Sequence, residues 1–502
     1  MTEKFFWADK IAEEIIKRNK DKKEYVCASG TTPSGVVHTG NFREAITTDL
    51  EVKALKDKGK KVKFIFSWDD FDRFRKVPVN IPDSRKKEYE KYIGMPVSDI
   101  PSPFSKNKSY AEYFEEKFEN ELKEINIEPI FIRQSKMYRA CKYAKEIKIA
   151  LDNTEKIKKI LDKYREEPLS KDWNPISIYC EKCNKDSTKV VKIDGYKIEY
   201  ECECKFKNKI DYRKKGIVKL VWRVDWPMRW AYEDLDFEPG GIDHSTPGGS
   251  YDTAKQIVKE VYEKDVPFYQ LYEWIKIKGG KEFSSSSGNA LSLSEVLEVY
   301  EPEVIRYLFA GTRPNRGFQV SFDNDVIKIY EDFDSLEKKY YDNKATEQEK
   351  RIYEMSNPNA KKDKKVHEKI SFRHLITLVQ INQTKDLNNL SKYRAEKVKN
   401  WLNKYAGEDM KFRIYDTNKV ELSEKQKEAL LELKNSLKKK KMTETELFNE
   451  FYEICKNVEI SNTEFFEATY KLIINKTKGP RLAALILDIG KEKIIKILNQ
   501  IK

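Results

Sequence analysis

Residues 25 to 55 hold the pattern that most restricts the fold. Tyr25-Val26-Cys27-Ala28 is a short apolar run, and residues 42–50 with Val52 and Leu55 continue at helical spacing. Between them lies Thr31-Thr32-Pro33-Ser34-Gly35-Val36-Val37-His38-Thr39-Gly40-Asn41. A strand, a turn bearing Gly and Pro, and then a helix is a geometry that offers backbone N–H groups to an anion at the helix N-terminus. Gly40 lets a flat ligand lie on the backbone with no Cβ in the way. His38 and Asn41, three residues apart, face the same place on the first turn. Val62-Lys63-Phe64-Ile65-Phe66 reads as a second strand, and two strands flanking a helix give the right-handed crossover of a doubly wound sheet. Ile217-Val218-Lys219-Leu220-Val221-Trp222 reads as a third.

Roughly 140 residues separate Phe74 from Gly216, too many for a simple loop, so an inserted subdomain is expected there. It holds helices around 110–125 and 140–164 and then a cysteine-bearing hairpin. Cys180-Glu181-Lys182-Cys183 and Cys202-Glu203-Cys204 are two close pairs joined by a strand-rich segment, and four thiolates so spaced can meet tetrahedrally on zinc. The alternative is four reduced, packed thiols. Four of the chain's seven cysteines crowd between positions 180 and 204, which favours a structural Zn²⁺. The other three, Cys27, Cys141 and Cys455, are isolated and expected to be buried. The fold class expected is α/β: a Rossmann-type parallel-sheet domain split over 1–75 and 215–300, with a zinc-ribbon-like subdomain inserted at 76–214. A bridging segment at 301–345 and an all-α domain at 346–502 follow, the polar stretch 345–365 marking the boundary.

At 502 residues the chain has room for several domains. It has no apolar run of membrane-spanning length, and Phe5, Phe6, Trp7, Ile11, Ile15 and Ile16 set among charges read as an amphipathic helix rather than a leader. Seven cysteines in so long a chain do not make a disulfide scaffold, so a reducing cytoplasm is expected and no membrane partner. A formal net charge of +13 fits a polyanion partner, although Lys, Ile, Asn and Tyr are abundant throughout and general composition supplies part of that excess.

A second Gly- and Ser-rich segment, Gly279-Gly280-Lys281-Glu282-Phe283-Ser284-Ser285-Ser286-Ser287-Gly288-Asn289, could be a plain linker or a loop wrapping a triphosphate. Paired with the His38-Thr39-Gly40-Asn41 turn, it resembles the HIGH and KMSKS signatures of class I aminoacyl-tRNA synthetases. More narrowly, the chain resembles the class I lysyl-tRNA synthetases. The resemblance rests on Thr32 to Glu44, on Trp68-Asp69-Asp70-Phe71-Asp72 with Arg75-Lys76-Val77-Pro78, and on Trp222-Arg223-Val224-Asp225-Trp226-Pro227-Met228-Arg229-Trp230. Gly241, Asp243, His244 and the terminal Gly479-Pro480-Arg481-Leu482 also fit.

The resemblance implies ATP with Mg²⁺, L-lysine and tRNA(Lys) as substrates and partners, a monomer being favoured with the oligomeric state open. It places His38 and Asn41 on the ATP phosphates, makes Pro33, Ser34 and Gly40 further ATP-binding residues, and puts Asp243 on the ribose or a neighbouring contact. For His38 and Asp243 the plainer alternatives are a helix cap and an Asx turn. It implies Gly30 and Thr32 on the α-amino and carboxylate end of lysine, with Trp222, His244 and Tyr272 around its stem. Glutamyl enzymes of this class carry an Arg ten residues before the signature His; Ala28 stands there here, so an acidic side chain would lack a partner. Asp69, Asp70, Asp225 and Tyr269 join Trp222 and Tyr272 as candidates for a pocket taking an aliphatic stem and an ammonium, while Trp226 and Trp230 read as core. The serine segment departs from its family, which brings a lysine into or just after the serines: Glu282 and Ser287 occupy those places. Lys281 is then the catalytic candidate beside Ser284, Ser285 and Ser286, with Lys276, Lys278 or Mg²⁺ as substitutes. In the last third Lys434, the run Lys438 to Lys441, and Tyr393, Trp401, Tyr405, Phe412 and Tyr415 suit unstacked anticodon bases. The competing readings are a catalytically silent tRNA-binding paralogue and a small-molecule adenylyltransferase.

Overall fold

The computed structural model describes residues 6–278, 291–417 and 420–501. The chain divides into two compact units, the first made of 1–297, 302–320 and 342–364, the second of 298–301, 321–341 and 365–502.

The first unit is built on five strands, β1 (Tyr25–Thr31), β2 (Val62–Trp68), β3 (Ile130–Arg133), β4 (Phe237–Gly241) and β5 (Phe268–Tyr272). All pair in parallel, in the order β5-β4-β1-β2-β3. Strands buried on both faces need continuous apolar runs, and β1 and β2 supply Tyr25, Val26, Cys27, Ala28, Phe64, Ile65, Phe66 and Trp68, each buried. The helix Thr39–Asp57 is the crossover from β1 to β2, and its buried residues recur on every side of the helix, as befits one enclosed by the sheet and its neighbours. Phe66, Trp68 and Phe118 interlock at ring separations of 4.9 to 5.9 Å beside it. The chain leaves β1 toward β2 on one side and meets β4 on the other. The carboxyl ends of β1 and β4 therefore part at the point where the strand order reverses, which is where open α/β sheets bind ligands.

Two expectations are corrected here. The third strand of the sheet comes from inside the stretch read as an insertion: Ile130–Arg133 is short and Ile130 is 53 % exposed, so it carries a weak apolar signal. The run read as that strand instead gives Val218–Leu220, which pairs antiparallel with Ile176–Ile178 in a separate ribbon, and Trp222 already opens the helix Trp222–Glu233. The cysteine hairpin is a three-stranded antiparallel sheet, Thr188–Asp194, Lys197–Cys202 and Lys207–Asp211. Cys27 and Cys455 are buried, whereas Cys141 is only partly so.

The last passage of the chain from the first unit to the second falls at 364/365, the end of the polar stretch at 345–365. That stretch forms the helix Glu347–Ser356, whose Arg351 reaches back within the first unit to Asp9 at 2.7 Å and Asp57 at 2.5 Å. Among the described residues the second unit has no strand. Its helices Glu424–Lys439, Glu444–Asn457 and Asn462–Ile474 each begin with a reciprocal capping box, from Ser423, Thr443 and Ser461. Trp401 is fully buried with its indole N–H on the Phe322 carbonyl at 2.9 Å, so it serves the core, while Tyr405 is partly buried and packs on Phe322 at 4.5 Å. Tyr393 is 45 % exposed.

Candidate active site

A small cavity of about 60 Å³ sits where β1 and β4 part, lined by Gly30, Glu44, Ser67, Asp69, Trp222, Trp226, Arg229, Glu238, Pro239, Gly240 and His244. Glu44 reaches it from the crossover helix and accepts the Gly30 N–H at 3.0 Å and the Tyr272 hydroxyl at 2.9 Å. Glu238, on β4, accepts the Trp226 indole N–H at 3.0 Å and that of Trp230. Arg229 donates to Asp69 at 2.7 Å and to the Ser67 hydroxyl at 2.8 Å, and it lies 3.4 Å from Asp225. Tyr138 also donates to Asp225, which is therefore a buried brace for Arg229 and does not line the cavity. Asp70 is likewise occupied, by the N–H of Ser135 at 2.7 Å and its hydroxyl.

The electrostatics follow from burial. Loss of water pushes the Glu44 carboxyl up to about 8, the Glu238 charge adding to it, against the Gly30 N–H bond. Glu238 is pushed up to about 7 for the same reason, with Arg229 pulling the other way. Asp69 is also raised by burial, opposed by Arg229. The walls are aromatic: the His244 ring lies 5.7 Å from both Trp222 and Trp226. One layer out, Tyr269 stacks on Tyr251 at 3.8 Å and bonds Ser245 at 2.7 Å. A Cβ at Gly240 would fall 2.0 Å from the Tyr269 oxygen, so only glycine lets that ring close the wall. Buried acids under flat rings suit an aliphatic stem ending in a cation.

The signature turn is assembled differently from the expectation. His38 is the N-cap of Thr39–Asp57, its Nδ1 accepting the Gly40 N–H at 3.0 Å, while the Thr39 N–H donates to the Leu291 carbonyl at 2.9 Å. The first amides of the helix are thus engaged rather than offered to an anion. With Nδ1 an acceptor, the imidazole proton lies on Nε2, and burial lowers the His38 pKa to about 4. The ring is a neutral donor. A Cβ on Gly40 would come within 2.7 Å of that ring, which is why glycine follows two residues after the histidine.

Of the residues read from the sequence, Gly30, Asp69, Trp222 and His244 line one cavity, and Tyr272 joins through Glu44. Thr32 lies at 3.5 Å from Asp72 through its hydroxyl. Pro33 is buried, Ser34 exposed with its carbonyl accepting from Tyr110, Asn41 partly buried, and Asp243 exposed on the short helix after β4. Lys281, Ser284, Ser285 and Ser286 lie outside the described residues. The residues on either side are placed: the Lys278 N–H donates to the Val320 carbonyl, and Ser292 bridges His38. Sequence reading missed Glu44, Glu238 and Arg229 as lining residues and took Trp226 for plain core. Glu44 had a legible signal, since it stands three residues after Asn41 and so shares its helix face.

In the inserted segment the Sγ atoms of Cys180, Cys183, Cys202 and Cys204 all lie within 4.8 Å of one another. The separations Cys180–Cys204 and Cys183–Cys202 are 3.7 and 3.6 Å. A tetrahedron with Zn–S bonds of about 2.3 Å has edges of about 3.8 Å, so the four sulfurs fit that ion. The N–H of Phe206 draws the Cys204 thiol down to about 7, while burial holds Cys202 up at about 12.

A parallel sheet with its cavity at the reversal point and a His-x-Gly-Asn turn beside it define a class I aminoacyl-tRNA synthetase. Residues 5–359 match the family described as tRNA synthetases class I (K), and the chain belongs to that family. It is similar to the lysine–tRNA ligase of Borreliella burgdorferi, at 44% identity over 98% of this chain and 99% of that one. It is also similar to those of Treponema pallidum, at 42% over 98% of each, and Pyrococcus horikoshii, at 40% over 98% and 99%. A solved glutamate tRNA ligase from Elizabethkingia meningosepticum covers 95% of this chain and 99% of its own at 13% identity, with a TM-score of 0.48.

Proposed function

We infer that the chain is a class I lysine–tRNA ligase, activating L-lysine with ATP to lysyl-adenylate and passing the lysyl group to the 3′ end of tRNA(Lys). The observation that carries the reading is the crevice itself: partly buried Glu44 and buried Glu238 under Trp222, Trp226 and His244, with Arg229, the arginine among the described lining residues, already taken up by Asp69 and Asp225. That receptor selects a long cationic side chain. The Glu44 carboxylate takes the ε-ammonium, Trp222 and His244 flank the methylenes, Tyr272 fixes Glu44, and Tyr269 braces the wall. Gly30 and Thr32 hold the α-amino and carboxylate end.

The lysine carboxylate oxygen attacks the α-phosphorus of ATP in line, and pyrophosphate leaves. The neutral His38 donates from Nε2 to a phosphate oxygen and Asn41 assists, so their work is positioning and charge stabilisation rather than covalent catalysis. Pro33, Ser34 and Gly40 shape the floor for ATP, and Asp243 receives the ribose hydroxyls. Lys281 with Ser284, Ser285 and Ser286 closes on the triphosphate, and Mg²⁺ supplies further positive charge there when bound. Zn²⁺ on Cys180, Cys183, Cys202 and Cys204 organises the inserted sheet. The second unit takes the anticodon end of the tRNA. ATP–pyrophosphate exchange tested with each amino acid, with and without tRNA, checks the reading: lysine alone should support exchange, and exchange with another amino acid, or none at all, rejects it.

A further inference from the structure

Among the described residues, the carboxylates that line the crevice outnumber the cations that neutralise them. Glu44, Asp69 and Glu238 line it, and Arg229, the lining arginine, is bound to Asp69 and leans on Asp225. Lys219, the other buried cation nearby, is paired with Asp72. Glu44 has two neutral donors, the Gly30 N–H and the Tyr272 hydroxyl, and Glu238 has two neutral indoles. The remaining titratable groups around the pair are Tyr269 and Tyr272 on β5, both phenols raised by burial, and Asp243 and His244 after β4, with His244 Nδ1 at 2.9 Å from Ser250. Two carboxyls in one closed, aromatic-walled space do not both stay ionised, because each is stripped of water and feels the other's charge.

We propose that Glu44 and Glu238 share a proton in the amino-acid-free enzyme and release it to solvent when the lysine ammonium enters, which makes Glu238 a specificity-determining residue and not only the anchor of two tryptophans. The proposal rests on the lysine reading above. The exchange balances: the protonated crevice plus lysine cation gives the lysine-bound crevice plus one proton, and the charge inside is unchanged. A neutral isostere such as norleucine cannot drive it and leaves the proton in place. The carboxyls at about 8 and about 7 put the exchange across neutral pH. The sign is fixed: both are raised, so protons compete with lysine below these values and affinity grows as pH rises through them.

Titration calorimetry of lysine into the full chain at pH 7, in phosphate and in Tris, reads the protons released from the difference in heats. The expected release is roughly 0.5 to 1 proton per site, with Kd falling about tenfold from pH 6 to pH 7 and levelling above about pH 8. Norleucine should bind weakly with equal heats in both buffers. In Glu238→Gln the release at pH 7 should fall and the fall in Kd should move to lower pH, because Glu44 keeps the part of its shift that burial causes and loses the part the Glu238 charge adds, while lysine still binds; a purely structural Glu238 would leave both unchanged, and that result overturns the proposal. Should that variant not fold, the unmodified chain still decides, since buffer-independent heats with a pH-independent Kd overturn it as well. Binding of a different amino acid with none of lysine would instead reject the functional reading, an outcome distinct from lysine binding without proton release.

Discussion

His38 shows how one residue can satisfy both a plain and a functional reading. It caps its own helix through Nδ1, which puts the ring proton on Nε2, the atom assigned to a phosphate oxygen in the proposed function. Replacing it with Ala should cut the rate of lysine activation by about 10²–10³ with little change in lysine binding, because the lost contact matters most in the transition state. Since burial holds the ring near 4, the activation rate should show no His38-dependent change between pH 6 and 8. Pyrophosphate-exchange kinetics across pH check both statements, and an unaltered rate would remove His38 from the chemistry. The turn was legible in sequence because its residue types are rare together. Glu44 could have been read from its place three residues after Asn41; Glu238 could not, because an acid on an interior strand looks like an ordinary exposed charge until the fold buries it.

The cysteine-bearing sheet and the crossover helix were readable from spacing and periodicity, whereas the edge strand Ile130–Arg133 was not. A strand of four residues, half exposed, has too few apolar positions to stand out, and its placement depends on pairing with distant β2. The Cys180 and Cys204 pairs make a checkable claim: elemental analysis of freshly purified chain should find about one zinc per molecule, and Cys180→Ser with Cys183→Ser should lose it along with thermal stability. Absence of zinc from the unmodified chain would refute the site. Within the second unit Arg394, fully buried, is gripped by Glu301 at 2.8 Å and Asp334 at 2.7 Å. Arg394→Ala strands the buried Glu301 carboxylate without its cation, an expected loss of about 3–5 kcal/mol measurable by denaturant unfolding. A loss under about 1 kcal/mol would mean water or rearrangement replaces the pair.

Across the molecule the parallel-sheet fold and the helical last part were legible, and the path of the chain between the two units was not. The stretch at 345–365 reads as a boundary, and residues 342–364 belong to the first unit, where Arg351 ties them to Asp9 and Asp57, far away in sequence. Residues 298–301 and 321–341 belong to the second unit, so the chain crosses between units more than once, a path that no local composition change reveals. Trp401 looked like part of an RNA-facing stripe and is core because helix packing needs large rings as much as base stacking does. What the whole chain does with these parts is decided by charging total tRNA, with ATP and each amino acid in turn, by the full-length protein. The account predicts lysine attached to tRNA(Lys) and to no other acceptor, dependent on ATP and slowed about 10²–10³-fold in His38→Ala. Charging with a different amino acid, or firm tRNA binding with no charging under any of them, would contradict it.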